Sequence, residues 1–138
     1  MTDALAVLGA GSWGTALAIA LARRGHDVRL WSRTAAAAEA MNALRVNARF
    51  LPDMVLPPSL TATADLAGAL QGAHGVLVAV PSSAFRHMLR QLRPLLAQPE
   101  IAWATKGLEE EHGTLLDQVA AAELGPDVAC VALSGPSF

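Results

Sequence analysis

Residues 5–33 read LAVLGAGSWGTALAIALARRGHDVRLWSR, and within them Gly9, Gly11 and Gly14 fall inside six positions. An apolar run precedes the glycines, an alanine-rich run follows, and a second apolar run, DVRLW, comes after Gly25. Strand, glycine turn, helix and strand in that order are the context in which G-x-G-x-x-G carries a mechanism. Gly9 suits a tight turn, Gly11 lets backbone approach a pyrophosphate with no Cβ in the way, and Gly14 lets the helix pack closely on the strand. The first amides of the helix then face the phosphates at the positive end of its dipole. Ser12 and Trp13 stand where backbone or side chain would line a bound nucleotide. The competing reading is a glycine-rich connection with no ligand, and FAD sites share the fingerprint.

The end of the second strand narrows the choice of nucleotide. An acidic residue there would hydrogen-bond the adenosine ribose, whereas an arginine suits a 2′-phosphate. Ser32, Arg33 and Thr34 follow the strand with no acid among them, and Asp27 lies at its opposite end. Arg33 can form charge-assisted bonds to a phosphate, with Ser32 as a neutral donor beside it. NADPH is therefore favoured, with NADH the alternative; a plain surface arginine is the bland reading.

Outward from this stretch, strand-like and helical runs alternate. Strands are expected at 4–8, 27–31, 75–80, 101–105 and 128–133, and helices at 12–24, 35–46, 83–96 and 115–123, with Pro94 bending or ending the third. This alternation predicts an α/β fold, a Rossmann-type doubly wound parallel sheet with helices on both faces. Residues 47–63, with Pro52, Pro57 and Pro58, are expected as an irregular loop holding a short strand near 60–62. A chain of 138 residues, 53% apolar and 16% charged, suits one globular domain.

Ten basic and twelve acidic side chains give a net charge of −2, so no basic footprint for nucleic acid exists. An anionic ligand must be held by local donors. The single cysteine, Cys130, sits in VACVAL and reads as core filler in a reducing cytoplasm. Neither a signal peptide nor a membrane span is expected. His26, His74, His87 and His112 lack metal-ligand spacing, so no metal site is expected. Glu109, Glu110 and Glu111 read as a solvated face.

Four more strings fall at loops: NARFLPDMVLP from Asn47, VAVPSSAFRHML from Val78, WATKGLE from Trp103 and LSGPSF at the end. Pro81 and Ser82 lie just past a strand, the edge where open α/β sheets bind ligands, though Ser82 or Ser83 could simply cap a helix. Lys106 emerges at the same edge, where an ammonium can pair with a phosphate or hydrogen-bond a carbonyl. With GAGSWGTALA, the order and spacing of these strings resembles the bacterial NAD(P)-dependent sn-glycerol-3-phosphate dehydrogenases over essentially the whole chain. ATKGLE followed by SGPSF is the most specific part of that likeness.

The resemblance implies cofactor contacts at Gly9, Gly11, Ser12, Trp13, Gly14, Arg33, Phe50, Pro81 and Lys106, and substrate contacts at Lys106, Gly135 and Ser137. Phe50 lacks the phenolic hydroxyl that many relatives carry, and an apolar loop anchor is its other reading. The implied reaction reversibly reduces dihydroxyacetone phosphate to sn-glycerol 3-phosphate for glycerophospholipid synthesis. The resemblance also implies that residues 1–138 are the NAD(P)-binding half, inactive alone. In that reading a helical C-terminal domain carries the lysine that moves the proton, no catalytic acid or base lies in 1–138, and the full-length protein is compatible with a homodimer. A non-catalytic nucleotide-binding or sensing module is the alternative from another class, and a related hydroxyacid or sugar dehydrogenase is a third.

Overall fold

The computed structural model describes residues 4–96, 100–109 and 112–133. β1 (Ala4–Leu8) leads into α1 (Ser12–Arg23), and β2 (Asp27–Trp31) into α2 (Ala35–Leu44). A short ribbon follows, β3 (Val46–Asn47) against β4 (Leu51–Val55), then β5 (Leu60–Thr63) and the short helix α3 (Leu66–Leu70). β6 (Gly75–Val78), α4 (Ser82–Leu92) with a 3-10 turn at Arg93–Leu95, β7 (Glu100–Trp103), α5 (Leu116–Leu124) and β8 (Cys130–Ala132) complete the described elements.

Six strands form one sheet in the order β5-β2-β1-β6-β7-β8, and every neighbouring pair is parallel. β1 is near the centre, with Leu5 opposite Val28 on one side and Gly75 on the other. Parallel strands need crossovers that cover both faces, so successive β1 residues feed opposite cores. Ala6 and Leu8 pack with Phe85, Leu89 and Val119 from α4 and α5. Val7 packs with Ala18, Ile19 and Met41 from α1 and α2. Phe85 meets Trp103 edge-on, with centroids 5.6 Å apart, which adds about 1 kcal/mol to their area burial. The expected doubly wound Rossmann-type sheet is therefore present.

Four local expectations need correction. The short strand expected near 60–62 is present as β5 and joins the parallel sheet, but the rest of 47–63 is not an irregular loop, because β4 forms a ribbon with β3. Pro52 is tolerated in β4 because that strand belongs to a two-stranded ribbon, where a missing N–H on the unpaired edge costs nothing. α2 stops at Leu44 instead of running to residue 46, because Arg45 turns left-handed at φ 55°. Its guanidinium then donates to the Pro57 and Leu60 carbonyls at 2.6 and 2.8 Å. Neither Ser82 nor Ser83 caps α4 with its side chain; Pro81 occupies the cap. Cys130 is exposed rather than buried: among the described residues β8 has a strand neighbour on one side only, and all three of its residues are exposed.

Two side chains satisfy backbone groups that have no strand or helix partner. The Asn42 amide donates to the Ala62 carbonyl and accepts from the Ala62 N–H, both at 2.8 Å, which closes the outer edge of β5. The Arg29 guanidinium gathers the Gly68, Ala69 and Gln71 carbonyls at the end of α3.

Candidate nucleotide-binding cleft

The chain order reverses between β1 and β6, and the carboxyl ends of β1, β2, β6 and β7 open there on a cleft of about 1060 Å³. Gly9 begins the turn at φ +118°, and a side chain on it would meet the Ala79 carbonyl oxygen at 2.8 Å. A Cβ on Gly14 would overlap the Gly9 carbonyl oxygen and lie 3.2 Å from the Ala79 Cβ. Both glycines are thus demanded by protein packing.

Gly11 is different. Its φ is −79°, ordinary for any residue, and a Cβ built on it meets no atom within 4 Å. The bare Cα faces the cleft instead. Gly11 is also the N-cap of α1, with no side chain capping the helix, so the first-turn amides look for an outside acceptor. Among the described residues lining the cleft, Arg33, Arg49 and Lys106 carry positive charge and none is Asp or Glu. Open space over Gly11, uncapped amides and a one-signed lining fit an anionic dinucleotide.

All nine expected cofactor positions line this cleft: Gly9, Gly11, Ser12, Trp13, Gly14, Arg33, Phe50, Pro81 and Lys106. Trp13 is 54% exposed, with the Lys106 ammonium 5.9 Å from its ring centroid. Arg33 is exposed at the rim, beside buried Ser32, and Thr34 caps α2 by accepting from the Ala37 N–H at 3.3 Å. Phe50 comes from the ribbon loop, carries the Arg49 guanidinium 4.9 Å over its ring, and takes a bond from the Ser12 hydroxyl to its carbonyl at 2.9 Å. Gly135 and Ser137, the other expected substrate contacts, lie outside the described residues.

The strand end that presents Lys106 is tied down from both sides. The buried Thr105 hydroxyl donates to the Val80 carbonyl at 2.7 Å, linking β7 to β6. Beyond Gly107, Leu108 pairs with Leu115, and Glu109 is buried, contrary to its expected solvated place. The cause is Arg86 of α4, whose guanidinium grips both Glu109 oxygens and also donates to Glu123 of α5 at 2.6 Å. Hydrogen bonds from Arg86 hold the Glu109 carboxyl below the usual carboxylate range, and Arg90 and Arg86 do the same for Glu123. His112 stands 3.2 Å from Glu109. Glu110 and Glu111 lie outside the described residues.

Sequence reasoning passed over Asn47, Arg49, Thr105 and Glu109. Asn47 and Arg49 belong to a proline-rich stretch read as loop, and neither periodicity nor local propensity marks a buried amide.

Residues 4–138 match the family model described as NAD-dependent glycerol-3-phosphate dehydrogenase N-terminus. A glycerol-3-phosphate dehydrogenase (NAD(P)+) from Halorhodospira halophila is 56% identical over all of this chain and 41% of its own length. One from Thioalkalivibrio sulfidiphilus is 54% identical over 97% of this chain and 40% of its own. The crystal structure of glycerol-3-phosphate dehydrogenase from Coxiella burnetii superposes with a TM-score of 0.91 at 46% identity, covering 99% of this chain and 42% of that one. The chain thus spans about two fifths of the length of these curated relatives.

Proposed function

The chain belongs to the NAD-dependent glycerol-3-phosphate dehydrogenase family as its N-terminal domain, and on that premise we propose that it is the NADPH-holding part of an enzyme that reversibly reduces dihydroxyacetone phosphate to sn-glycerol 3-phosphate. The observation that carries the reading is the open space over Gly11 beside the uncapped start of α1. In this reading the amides of Ser12, Trp13 and Gly14 hold the diphosphate. Arg33 and Ser32 bond the 2′-phosphate, while Trp13, Phe50 and Pro81 flank the nucleotide. The bound nucleotide supplies the hydride that the reaction needs.

Lys106 serves both ligands. Its ammonium is at the cleft near Trp13, where it can orient the substrate by pairing with the phosphate or the carbonyl oxygen. Gly135 and Ser137 complete the substrate contacts as the family likeness implies. The same likeness alone supports the remaining parts of the proposal: a C-terminal helical domain with the proton-moving lysine, a homodimeric full-length protein, a cytoplasmic location and a role in glycerophospholipid synthesis. Among the described residues no helix is long and apolar enough to cross a membrane. The non-catalytic module is not favoured, since the matched relatives are named as enzymes.

Arg33→Ala tests the nucleotide choice by titration with each reduced nicotinamide nucleotide. Losing a charge-assisted bond to the 2′-phosphate weakens NADPH binding about tenfold to a hundredfold. NADH binding changes by less than about twofold, because it has no phosphate there. Equal losses for both nucleotides would remove Arg33 from this role.

A further inference from the structure

Between residues 46 and 55 the best-buried residue is a polar one, Asn47, only 5% exposed. Its amide is fully engaged. Nδ2 donates to the Ala10 carbonyl at 3.0 Å and to the Thr15 hydroxyl at 2.9 Å, while Oδ1 accepts from the Phe50 N–H at 3.3 Å. Ala10 lies inside the glycine turn, and Thr15, fully buried, lies in the first turn of α1. Both Phe50 backbone groups are therefore bound to that side of the cleft, the N–H through Asn47 and the carbonyl through Ser12.

We propose that Asn47 is a positioning residue, which sets the distance between the glycine turn and the Arg49–Phe50 wall so that a nucleotide fits between them. The proposal rests on the reading of the cleft as a nucleotide site. Asn47 borders the cleft, yet both of its N–H groups are already donated to protein, so it has no donor left for a ligand. It acts through its neighbours. An amide is the side chain the place requires: two donors face a carbonyl and a hydroxyl, and one acceptor faces an N–H. Aspartate would keep only the acceptor and set a charge against the Ala10 carbonyl; alanine would take this partner from the Ala10 carbonyl, the buried Thr15 hydroxyl and the Phe50 N–H.

The test is fluorescence titration of the chain with NADPH in two backgrounds, native and Arg49→Ala/Phe50→Ala, each with and without Asn47→Ala. In the native background Asn47→Ala weakens binding about tenfold, the equivalent of one net hydrogen bond. In the doubly truncated background, where the wall is already gone, it weakens binding less than about twofold, because coupled residues are non-additive. Equal weakening in both backgrounds, or none in the native one, overturns the positioning role while the cleft reading stands. Failure of the native chain to bind NADPH overturns the cleft reading itself. Should circular dichroism show Asn47→Ala unfolded, the neutral and smaller loss in Asn47→Ser, which adds no charge to the cleft, carries the same comparison.

Discussion

The glycine turn after β1 and the loops that face it border one cleft, yet they are held in place by different forces. The turn is shaped by backbone sterics: Gly9 and Gly14 let the start of α1 sit against Ala79 at distances no side chain would permit. The facing loops are tethered by side chains that cross the fold, Asn47 for the Phe50 wall and Arg86 with Glu109 for the segment after Lys106. The first kind of wall fails by clash and the second by losing partners. Clash spares nothing around it, whereas a lost tether loosens one segment and leaves the sheet intact.

The largest expected effect is on the sterically built wall. Gly14→Val forces a side chain into the Gly9 carbonyl and the Ala79 methyl, where backbone on both sides leaves no room to give. Overpacking costs about 1–3 kcal/mol where neighbours can shift, and more where, as here, backbone must move. Thermal unfolding should show a large drop in Tm together with lost nucleotide binding; an unchanged Tm would show that the turn is not packing-limited.

A smaller effect is expected at the tethered wall. Glu109 and Glu123 hold their protons less tightly in the folded chain than when unfolded, so their contribution to stability is present above the ordinary carboxylate range and lost as pH falls through their lowered values. Tm should stay level from neutral pH to about 5 and fall below about 4, near and under the ordinary glutamate value. Glu109→Gln should lower Tm at neutral pH and make the acid fall shallower. An acid fall of unchanged steepness in that variant would mean that the Arg86 contact contributes nothing to holding the Lys106 segment.

The same division explains what could be read in advance. β1, α1, β2 and the glycine turn obey rules that act within a few residues, and each is where GAGSWG and its flanking runs put it. The parallel sheet with helices on both faces follows from strand–helix alternation, and Arg33 at the cleft follows from counting to the end of β2. The rest depends on partners far apart in the chain. Asn47 reaches Thr15 across 32 positions and Arg86 reaches Glu109 across 23, and no local pattern encodes either. Prolines concealed β4 for the same reason: Pro52 is a breaker by local rule and acceptable only because its strand has one paired edge. Cys130 looked buried because VACVAL is apolar, but an apolar run does not tell how many strand neighbours it has, and among the described residues β8 has one.

Gly11 separates ligand demand from packing demand more directly than any other residue. Its backbone is extended enough for valine, and nothing lies within 4 Å of where the new Cβ would stand. Titration of the chain and its Gly11→Val variant with NADPH, alongside thermal unfolding, is the decisive measurement. The variant should still fold, losing no more than about 1 kcal/mol because valine is a poorer N-cap than glycine. It should bind NADPH at least about a hundredfold more weakly, a loss near 2.7 kcal/mol. A variant that folds and binds NADPH as tightly as the native chain would contradict the seating of the diphosphate on this turn.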